Sequence, residues 1–329
     1  MKLATLKDGS RDGQLVVVSR DLHSAVIADA VVPTLQRALD DWPFYGAQLD
    51  ALYAALNQGR ARRAFEFDPR DCLAPLPRSY SLLAADVYPD HARLLTDALH
   101  APAIADAALP RGLPGDPLYG PTDDVVCQRS DEQLDCVAQL AVVSDGVPRG
   151  ALASRALASV RLLGLACSYV LRAPAAGTEA GVPLASAFSP VLISPDEAGT
   201  AWRDGRLHRA LSLSVNGRLL AEPDCAAGMA AGFGALLASA AARRPLSPGA
   251  ICLAGPVASL GRSHALGSVA GKRAVETITS GAASTPYLAP GDRVTLAFAD
   301  SAEDASAIAS LHCGQIEQRI TDADGARGA

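Results

Sequence analysis

The sequence is poor in aromatic residues and contains no long apolar run. Aromatic side chains make up 5% of the 329 residues, whereas hydrophobic residues together make up 49%, so the core must be built mainly from Ala, Val and Leu. No stretch approaches the roughly 20 apolar residues of a membrane-spanning helix. The first nine residues also lack the apolar core of a signal peptide. We therefore expect a globular, cytoplasmic protein that has no membrane partner.

Basic clusters are equally scarce in this chain. It has 29 Lys and Arg residues against 35 Asp and Glu residues, which gives a formal net charge of −6. A short basic run at residues 60–63 is explained by a solvated helix end. Binding to a nucleic-acid backbone depends on clustered positive charge, so we expect no nucleic-acid partner.

The seven cysteines lack the spacing of a metal or redox site, because no two of them form a Cys-x-x-Cys pair. Several lie in apolar runs, where a free thiol behaves as a small hydrophobic side chain. Their odd number and irregular spacing are typical of a protein in a reducing compartment. They are Cys72, Cys127, Cys136, Cys167, Cys225, Cys252 and Cys313.

Residues 1–75 predict a small domain in which strands are followed by helix. Apolar runs indicate strands over residues 3–6 and 14–19, joined by a polar turn that contains two glycines. Apolar residues at helical spacing follow over residues 28–56, with an interruption at a proline. Pro75 then marks a linker, so the first domain boundary is placed there.

Residues 76–300 predict a larger, β-rich domain. Short apolar runs alternate with turns, and Asn216-Gly217 between two runs is a strong hairpin signal because both residues tolerate positive φ. Helices are predicted over residues 151–163 and 225–244. We expect an α+β, β-rich fold with a mixed β-roll, and residues 301–329 form an extension that should be partly disordered. The predicted strands include residues 140–143, 191–194, 211–215, 250–253 and 293–298.

Several motifs occur along the chain in the order typical of one enzyme family. Together with the opening MKLATLKDG, they resemble the fumarylacetoacetate hydrolase family, and the likeness runs over nearly the whole chain. The resemblance implies enzymes that cleave a carbon–carbon bond in acyl-pyruvates and β-diketones. It also implies a small N-terminal domain, a fumarylacetoacetate-hydrolase-like β-roll and a homodimer. The motifs are SAFSPV at 186–191, AWRDGR at 201–206, VNGR at 215–218, ETI at 276–278, TPY at 285–287 and PGDRV at 290–294.

The resemblance also identifies the positions at which the family binds Mg²⁺ or Ca²⁺. The family uses an Asp ahead of its catalytic His, two Glu of an E-x-E strand and an Asp after the next helix. Hard cations require such a negatively charged set of oxygen ligands. No carboxylate occupies any of the four positions in this chain, so the resemblance implies that it binds no metal and no other cofactor. The four residues present are Ala84, Val137, Gln139 and Ser168.

Other working positions of the family are also replaced. The family's substrate-side Lys corresponds to Pro183, and a Glu that precedes a Lys-Arg pair corresponds to Gly271. The position of the catalytic His matches His91, which alone stands out as retained. Residues 267–273 have some likeness to a phosphate-binding loop, but the run is one residue short. We interpret it as a turn at the end of a strand.

A displaced metal site is one alternative that the sequence leaves open. Acidic residues lie near the replaced positions and could supply ligands if the residue matching were shifted. The candidates are Asp86, Asp90, Glu132 and Asp135.

Two hypotheses for function follow from these replacements. In the first, the chain is a pseudoenzyme that binds a small carbonyl-containing ligand or a partner subunit. In the second, it is a metal-independent enzyme of a specialised biosynthetic pathway that catalyses a condensation, an isomerisation or a decarboxylation. A covalent version of the second would use Cys167 as nucleophile and His91 as base, although a buried Cys167 would only fill the core.

Overall fold

The computed structural model describes residues 1–99, 109–127, 133–172, 181–259, 266–299 and 311–322. In the N-terminal part, strands and helices follow each other as predicted. The strands are β1 (Lys2–Leu6), β2 (Gln14–Val18), β3 (Ser24–Ile27) and β4 (Phe65–Glu66), and the helices are α1 (Leu35–Asp40) and α2 (Trp42–Asn57).

The remainder of the described chain is mainly β-structure with four further helices. The helices are α3 (Pro89–Leu99), α4 (Ala153–Leu157), α5 (Phe233–Ala240) and α6 (Val269–Ser280). The strands are β5 (Leu82–Ala84), β6 (Arg111–Gly112), β7 (Leu118–Tyr119), β8 (Val125–Cys127), β9 (Leu134–Ser144), β10 (Val160–Leu171), β11 (Val182–Phe188), β12 (Leu192–Ile193), β13 (Trp202–Arg203), β14 (Arg206–Leu207), β15 (Leu211–Val215), β16 (Arg218–Ala221), β17 (Ala250–Leu253), β18 (Arg293–Phe298) and β19 (Ile316–Asp322). The fold is therefore β-rich α+β, as the sequence predicts.

One 12-stranded sheet runs through both parts of the chain. Its main path is β4-β3-β2-β1-β12-β10-β9-β17-β5-β6, with β11 paired to β10 and β7 paired to β11. A second sheet has the order β16-β15-β18-β19-β8. The long strands β9 and β10 lie at the centre of the large sheet, and every residue of β9 is buried. A strand covered on both faces needs an almost continuous apolar run, and the sequence of β9 provides one.

The predicted hairpin is present, with Asn216 at φ 52° and Gly217 at φ 73° between β15 and β16. The helix predicted over residues 151–163 is wrong, because only α4 is helical and β10 begins at Val160. The apolar run of β10 suits a strand buried on both faces as well as a helix, so its periodicity misled the prediction. The helix predicted over residues 225–244 shortens to α5, which begins after the extended Gly232.

One further prediction needs correction. The turn predicted over residues 267–273 is instead the start of α6, where Ser268 is the N-cap and its side chain accepts a hydrogen bond from the Gly271 N–H. The described residues of the predicted C-terminal extension include β19, which pairs with both β18 and β8. No helix of the described residues is long and apolar enough to cross a membrane.

A buried carboxylate links the N-terminal part to the larger part. Glu197 accepts a hydrogen bond from the Tyr53 hydroxyl at 2.7 Å and from Arg20 Nε at 3.3 Å. The side chain of Glu197 is only 5% exposed, so these donors replace the water that the charge has lost. Burial, followed by the contact with Glu197, raises the pKa of Tyr53, so its hydroxyl stays protonated and donates.

We expect Tyr53→Phe to lower the free energy of unfolding by about 1.5–3 kcal/mol, the usual range for a hydrogen bond to a charged group. Urea denaturation followed by circular dichroism measures the change. The matched control is Tyr45→Phe in the same helix, because Tyr45 makes no hydrogen bond to any described residue. A loss of stability in the control as large as in Tyr53→Phe would contradict a specific role for the Glu197 contact.

Candidate functional site

The centre of the large sheet brings together three of the four positions matched to family metal ligands. Val137 and Gln139 are two residues apart in β9 and therefore face the same side of the sheet. Ser168 of β10 lies directly opposite Val137 in the strand register, and Ser186 of β11 lies opposite Ser168. All of these side chains are buried.

The polar side chains on this face form one hydrogen-bonded chain. The Gly255 N–H donates to Gln139 Oε1 at 3.0 Å, and Gln139 Nε2 donates to Ser168 Oγ at 2.6 Å. Ser168 Oγ is in turn 3.0 Å from Ser186 Oγ. Because a backbone N–H can only donate, it fixes which end of the Gln139 amide carries the oxygen. The chain is therefore polarised from Gly255 to Ser168, whereas either serine can donate to the other.

Gly255 is required for the close approach that starts this chain. Its φ is +91°, and a Cβ at this residue would lie 2.2 Å from the Ala85 carbonyl oxygen. Any other residue would push the backbone away from β5 and move the N–H that orients Gln139. Gly255 is therefore the residue of the turn after β17 that reaches the site.

Ala84 lies on the same face, two strands away from β9. It pairs with Leu253 of β17, and Leu253 pairs with Ala141 of β9. All three belong to one apolar cluster, and Ala141 follows Gln139 on the same side of its strand. Ala84 therefore belongs to the apolar cluster that adjoins the hydrogen-bonded chain.

His91 of α3 joins this site through Ser268. Its Nε2 is 2.8 Å from Ser268 Oγ, and Ser268 forms a backbone bridge with Val137. Burial of the imidazole, and then the positive charge of Arg172, lower the pKa of His91 to about 3. The ring is consequently neutral at physiological pH, which makes it a poor proton acceptor but leaves it one N–H to donate.

Asp135 holds the α6 N-terminus against the sheet. Its Oδ1 accepts hydrogen bonds from the N–H groups of Val269 and Ala270 at 2.8 and 3.2 Å, and its Oδ2 accepts from Arg172 Nε and Nη2 at 3.0 and 2.8 Å. Burial raises the pKa of the Asp135 carboxyl, while Arg172 and the two N–H groups act in the opposite direction. Both oxygens are occupied, so Asp135 is a structural carboxylate.

The other acidic residues considered for a displaced metal site do not gather around Asp135. Asp86 pairs with Arg111, and Asp90 lies 3.3 Å from Arg93 Nη2. Glu132 lies outside the described residues. Within the described part of the chain, no group of three or more His, Cys, Asp or Glu side chains could hold a metal ion. The amide and hydroxyls at the matched positions do not fit a hard divalent cation, which prefers carboxylates.

Cys167 occupies the face of the sheet opposite Ser168, since neighbouring residues of a strand alternate. It is fully buried in an apolar cluster that includes Cys136 and Tyr169. The hydrogen bond with Cys167, and then burial, raise the pKa of Cys136 well above that of a free thiol. The structure therefore does not bring Cys167 to His91, and the geometry gives no support to a Cys–His pair.

Three participants in the site were not identified from the sequence. Ser186 lies inside the SAFSPV motif, but nothing in that motif indicates a hydrogen bond to Ser168. Ser268 could have been found as an N-cap, because a Ser precedes the helical spacing of α6. The Gly255 N–H is a backbone group, which no side-chain pattern can reveal.

A separate cleft of about 1370 Å³ lies between α1 and the linker that follows the N-terminal part. Its lining includes Arg37, Tyr45, Pro77 and Tyr80, and it contains none of the positions matched to family ligands. Its size alone does not make it the functional site, because the chemically distinctive side chains lie in the sheet.

The fold matches solved structures of known enzymes over nearly its whole length. Maleylpyruvate hydrolase from Sphingobium sp. SYK-6, in complex with manganese(II) and pyruvate, has 17% sequence identity and a TM-score of 0.63, with 98% of this chain and 99% of that chain covered. Fumarylacetoacetate hydrolase from Exiguobacterium antarcticum has 15% identity and a TM-score of 0.60, with the same coverage. A 5-carboxymethyl-2-hydroxymuconate delta-isomerase from Mycobacterium smegmatis has 15% identity, a TM-score of 0.59 and again the same coverage. These likenesses show the shared fold.

Two family models match the sequence itself, although no curated protein sequence matches it. Residues 1–78 match the fumarylacetoacetase N-terminal domain 2. Residues 84–320 match the fumarylacetoacetate (FAA) hydrolase C-terminal model, which covers well over half of the chain. The chain therefore belongs to the fumarylacetoacetate hydrolase family.

Proposed function

We propose that this chain is a pseudoenzyme of its family: it has lost metal-dependent hydrolysis of acyl-pyruvates and binds a small carbonyl-containing ligand through neutral hydrogen-bond donors. The observation that carries the proposal is the hydrogen-bonded chain from the Gly255 N–H through Gln139 and Ser168 to Ser186. Within it, Gln139 and Ser168 stand at positions that the family resemblance matches to metal-ligand carboxylates.

The chain has more donors than it uses internally. Gln139 Nε2 carries two hydrogens, and only one of them is needed for the bond to Ser168. If Ser168 donates onward to Ser186, the Ser186 hydroxyl also has a hydrogen to give. Buried donors without acceptors are costly, so the site is complementary to an acceptor such as a carbonyl or enolate oxygen.

Charge balance favours the same conclusion. Carboxylates about 4 Å apart repel by roughly 4 kcal/mol at an effective dielectric constant near 20 unless a cation neutralises them. Val137, Gln139 and Ser168 remove that repulsion because they carry no charge. The site is therefore stable in the absence of an ion.

The acidic partner that would make His91 a base is also missing. A Cβ added at Gly271 would lie 3.2 Å from His91 Nε2 and 2.9 Å from Ser268 Oγ. A side chain at this position would therefore point at His91, which supports the match between Gly271 and the family's Glu. A neutral, buried His91 without a carboxylate lacks the strength to generate hydroxide.

We expect Mg²⁺, Ca²⁺ and Mn²⁺ to leave the melting temperature of the protein unchanged, because an ion that does not bind the native state cannot stabilise it. Acyl-pyruvates such as acetopyruvate should not be hydrolysed above the buffer rate with or without these ions. Differential scanning fluorimetry and a spectrophotometric assay of diketone loss make the two measurements. A stoichiometric ion in the purified protein, or clear hydrolytic turnover, would contradict the proposal.

A restored variant tests the residue matching. The combination Ala84→Asp, Val137→Glu, Gln139→Glu and Ser168→Asp should be less stable without metal and should regain stability when Mg²⁺ or Mn²⁺ is added. The matched control is Ala84→Asn, Val137→Gln and Ser168→Asn, which introduces similar volume without charge. If both variants respond to metal equally, or neither does, the four positions do not surround one site.

Metal-independent catalysis is a second candidate function. The surplus hydrogen-bond donors of Gln139 and the two serines favour it for an isomerisation or a condensation. Donors directed at a carbonyl oxygen also stabilise the enolate formed when a neighbouring carbon loses a proton. Deuterium exchange into acetopyruvate, measured in the presence of a chelator, separates the two candidates. Exchange above the buffer rate supports catalysis, whereas binding without exchange supports the pseudoenzyme.

The position of Cys167 makes covalent chemistry testable on its own. We expect iodoacetamide to modify Cys167 only at the rate of unfolding, because all seven cysteines are buried and the thiolate is the reactive form. Mass spectrometry of peptides after timed labelling measures the rate, with urea-unfolded protein as the control. Rapid and selective labelling near neutral pH that is lost in His91→Ala would favour a Cys–His enzyme instead.

The homodimer implied by the family resemblance stays a prediction. Light scattering coupled to gel filtration measures the molar mass directly, and a value near 33.8 kDa would mean that the chain is a monomer.

A further inference from the structure

The hydrogen bond between His91 and Ser268 has a direction that the surrounding atoms determine. Ser268 Oγ already accepts the Gly271 N–H at 2.9 Å as the N-cap of α6. Its other neighbour within hydrogen-bond distance among the described residues is His91 Nε2, at 2.8 Å. Ser268 is fully buried, so water offers its hydroxyl hydrogen no alternative acceptor.

The two possible arrangements differ in which hydrogen is left without a protein acceptor. If His91 Nε2 carried the ring hydrogen and donated to Ser268 Oγ, the Ser268 hydroxyl hydrogen would be left without an acceptor in a closed environment. Such a buried, unpaired donor is costly. If the hydroxyl donates to Nε2 instead, every polar atom of Ser268 is paired. The single hydrogen of the neutral ring must then be on Nδ1.

The Nδ1 atom therefore carries the hydrogen that the protein does not pair. It has no hydrogen-bond partner among the described residues, and it is not among the fully enclosed polar atoms that lack a partner. His91 as a residue retains 3% exposure, whereas Ser268 is fully buried, so an unpaired hydrogen costs less on the histidine than on the serine. Gln139 of the same site also has a hydrogen to give.

We infer that Ser268 is a positioning residue that fixes His91 as a neutral hydrogen-bond donor, with the ring hydrogen on Nδ1 directed at a carbonyl or enolate oxygen of the ligand. The ligand half of this inference rests on the proposed function, whereas the tautomer does not. The role of His91 is thus to bind oxygen, and not to accept a proton.

The charge state of the ring agrees with this role. The lowered pKa of His91 keeps the ring neutral near physiological pH, so the ring retains one hydrogen to donate there. A ring that stays neutral suits a hydrogen-bond donor, since a catalytic proton acceptor needs a pKa near the working pH.

Nuclear magnetic resonance of the whole protein, labelled with nitrogen-15 in histidine, tests the tautomer directly. Long-range proton–nitrogen correlation spectra distinguish a ring nitrogen that carries hydrogen from one that does not, and the signals that vanish in His91→Gln assign the residue. We expect a protonated Nδ1 and an unprotonated Nε2 for His91. A hydrogen on Nε2 in the unaltered protein would overturn the inference.

Two variants separate positioning from helix capping. Ser268→Thr keeps both the cap and the hydroxyl donor, so His91 should keep its spectrum. Ser268→Asp also keeps the cap, but it offers only an acceptor to Nε2, so Nε2 should carry a hydrogen. At a pH high enough to keep the ring neutral beside the new carboxylate, this hydrogen replaces the one on Nδ1. A merely structural Ser268 would give the same His91 spectrum in both variants, and this result would also overturn the inference.

Binding of acetopyruvate, measured by calorimetry with a chelator present, tests the ligand half. Ser268→Thr should bind like the unaltered protein, and Ser268→Asp should bind at least about tenfold more weakly, the effect of losing one hydrogen bond. Equal affinities in all three proteins would refute the role of Nδ1 while leaving the proposed function intact. If the unaltered protein does not bind acetopyruvate, the ligand half and the proposed carbonyl ligand both fail, and the tautomer stands on its own spectrum.

Discussion

The carboxylate of Asp135 connects the three elements from which the candidate site is built. It lies in β9, it receives the guanidinium at the end of β10, and it accepts the first two N–H groups of α6. The geometry satisfies both oxygens of a fully buried charge, which would otherwise be strongly destabilising. Ser268 precedes these N–H groups directly, so its position, and through it the orientation of His91, depends on the same carboxylate.

Around this anchor, neutral hydrogen-bonding groups order the candidate site. Clustered carboxylates would repel one another unless a cation held them together. Here a backbone N–H orients an amide, the amide orients one hydroxyl, and that hydroxyl contacts a second. Such an arrangement is ordered by the protein's own groups, so it does not depend on a bound ion.

The sequence predicted the β-rich α+β class, the hairpin at Asn216 and most strands, because those depend on local turn chemistry and apolar alternation. It misplaced the start of β10, since a continuous apolar run does not distinguish a strand buried on both faces from a helix. The likeness to the family identified Val137, Gln139 and Ser168, and strand register then explains how they meet. Ser186 and Gly255 could not be predicted, because a hydrogen bond across strands, or from a backbone N–H, leaves no trace in residue spacing.

The strand β19 has a consequence for how the chain is made. It lies between β18 and β8 in the five-stranded sheet, and Gln318 Nε2 bonds the Asp123 carbonyl, 195 residues earlier in the sequence. During synthesis, β8 leaves the ribosome long before its partner strand β19 has been made. The apolar Val125 and the unpaired edge of β8 therefore stay exposed while most of the larger domain is synthesised. Contacts of such sequence separation form slowly, and exposed strand edges invite pairing with other chains. The vulnerable interval for aggregation is therefore the time between the emergence of residue 127 and that of residue 322, and slower translation of this stretch would lengthen it.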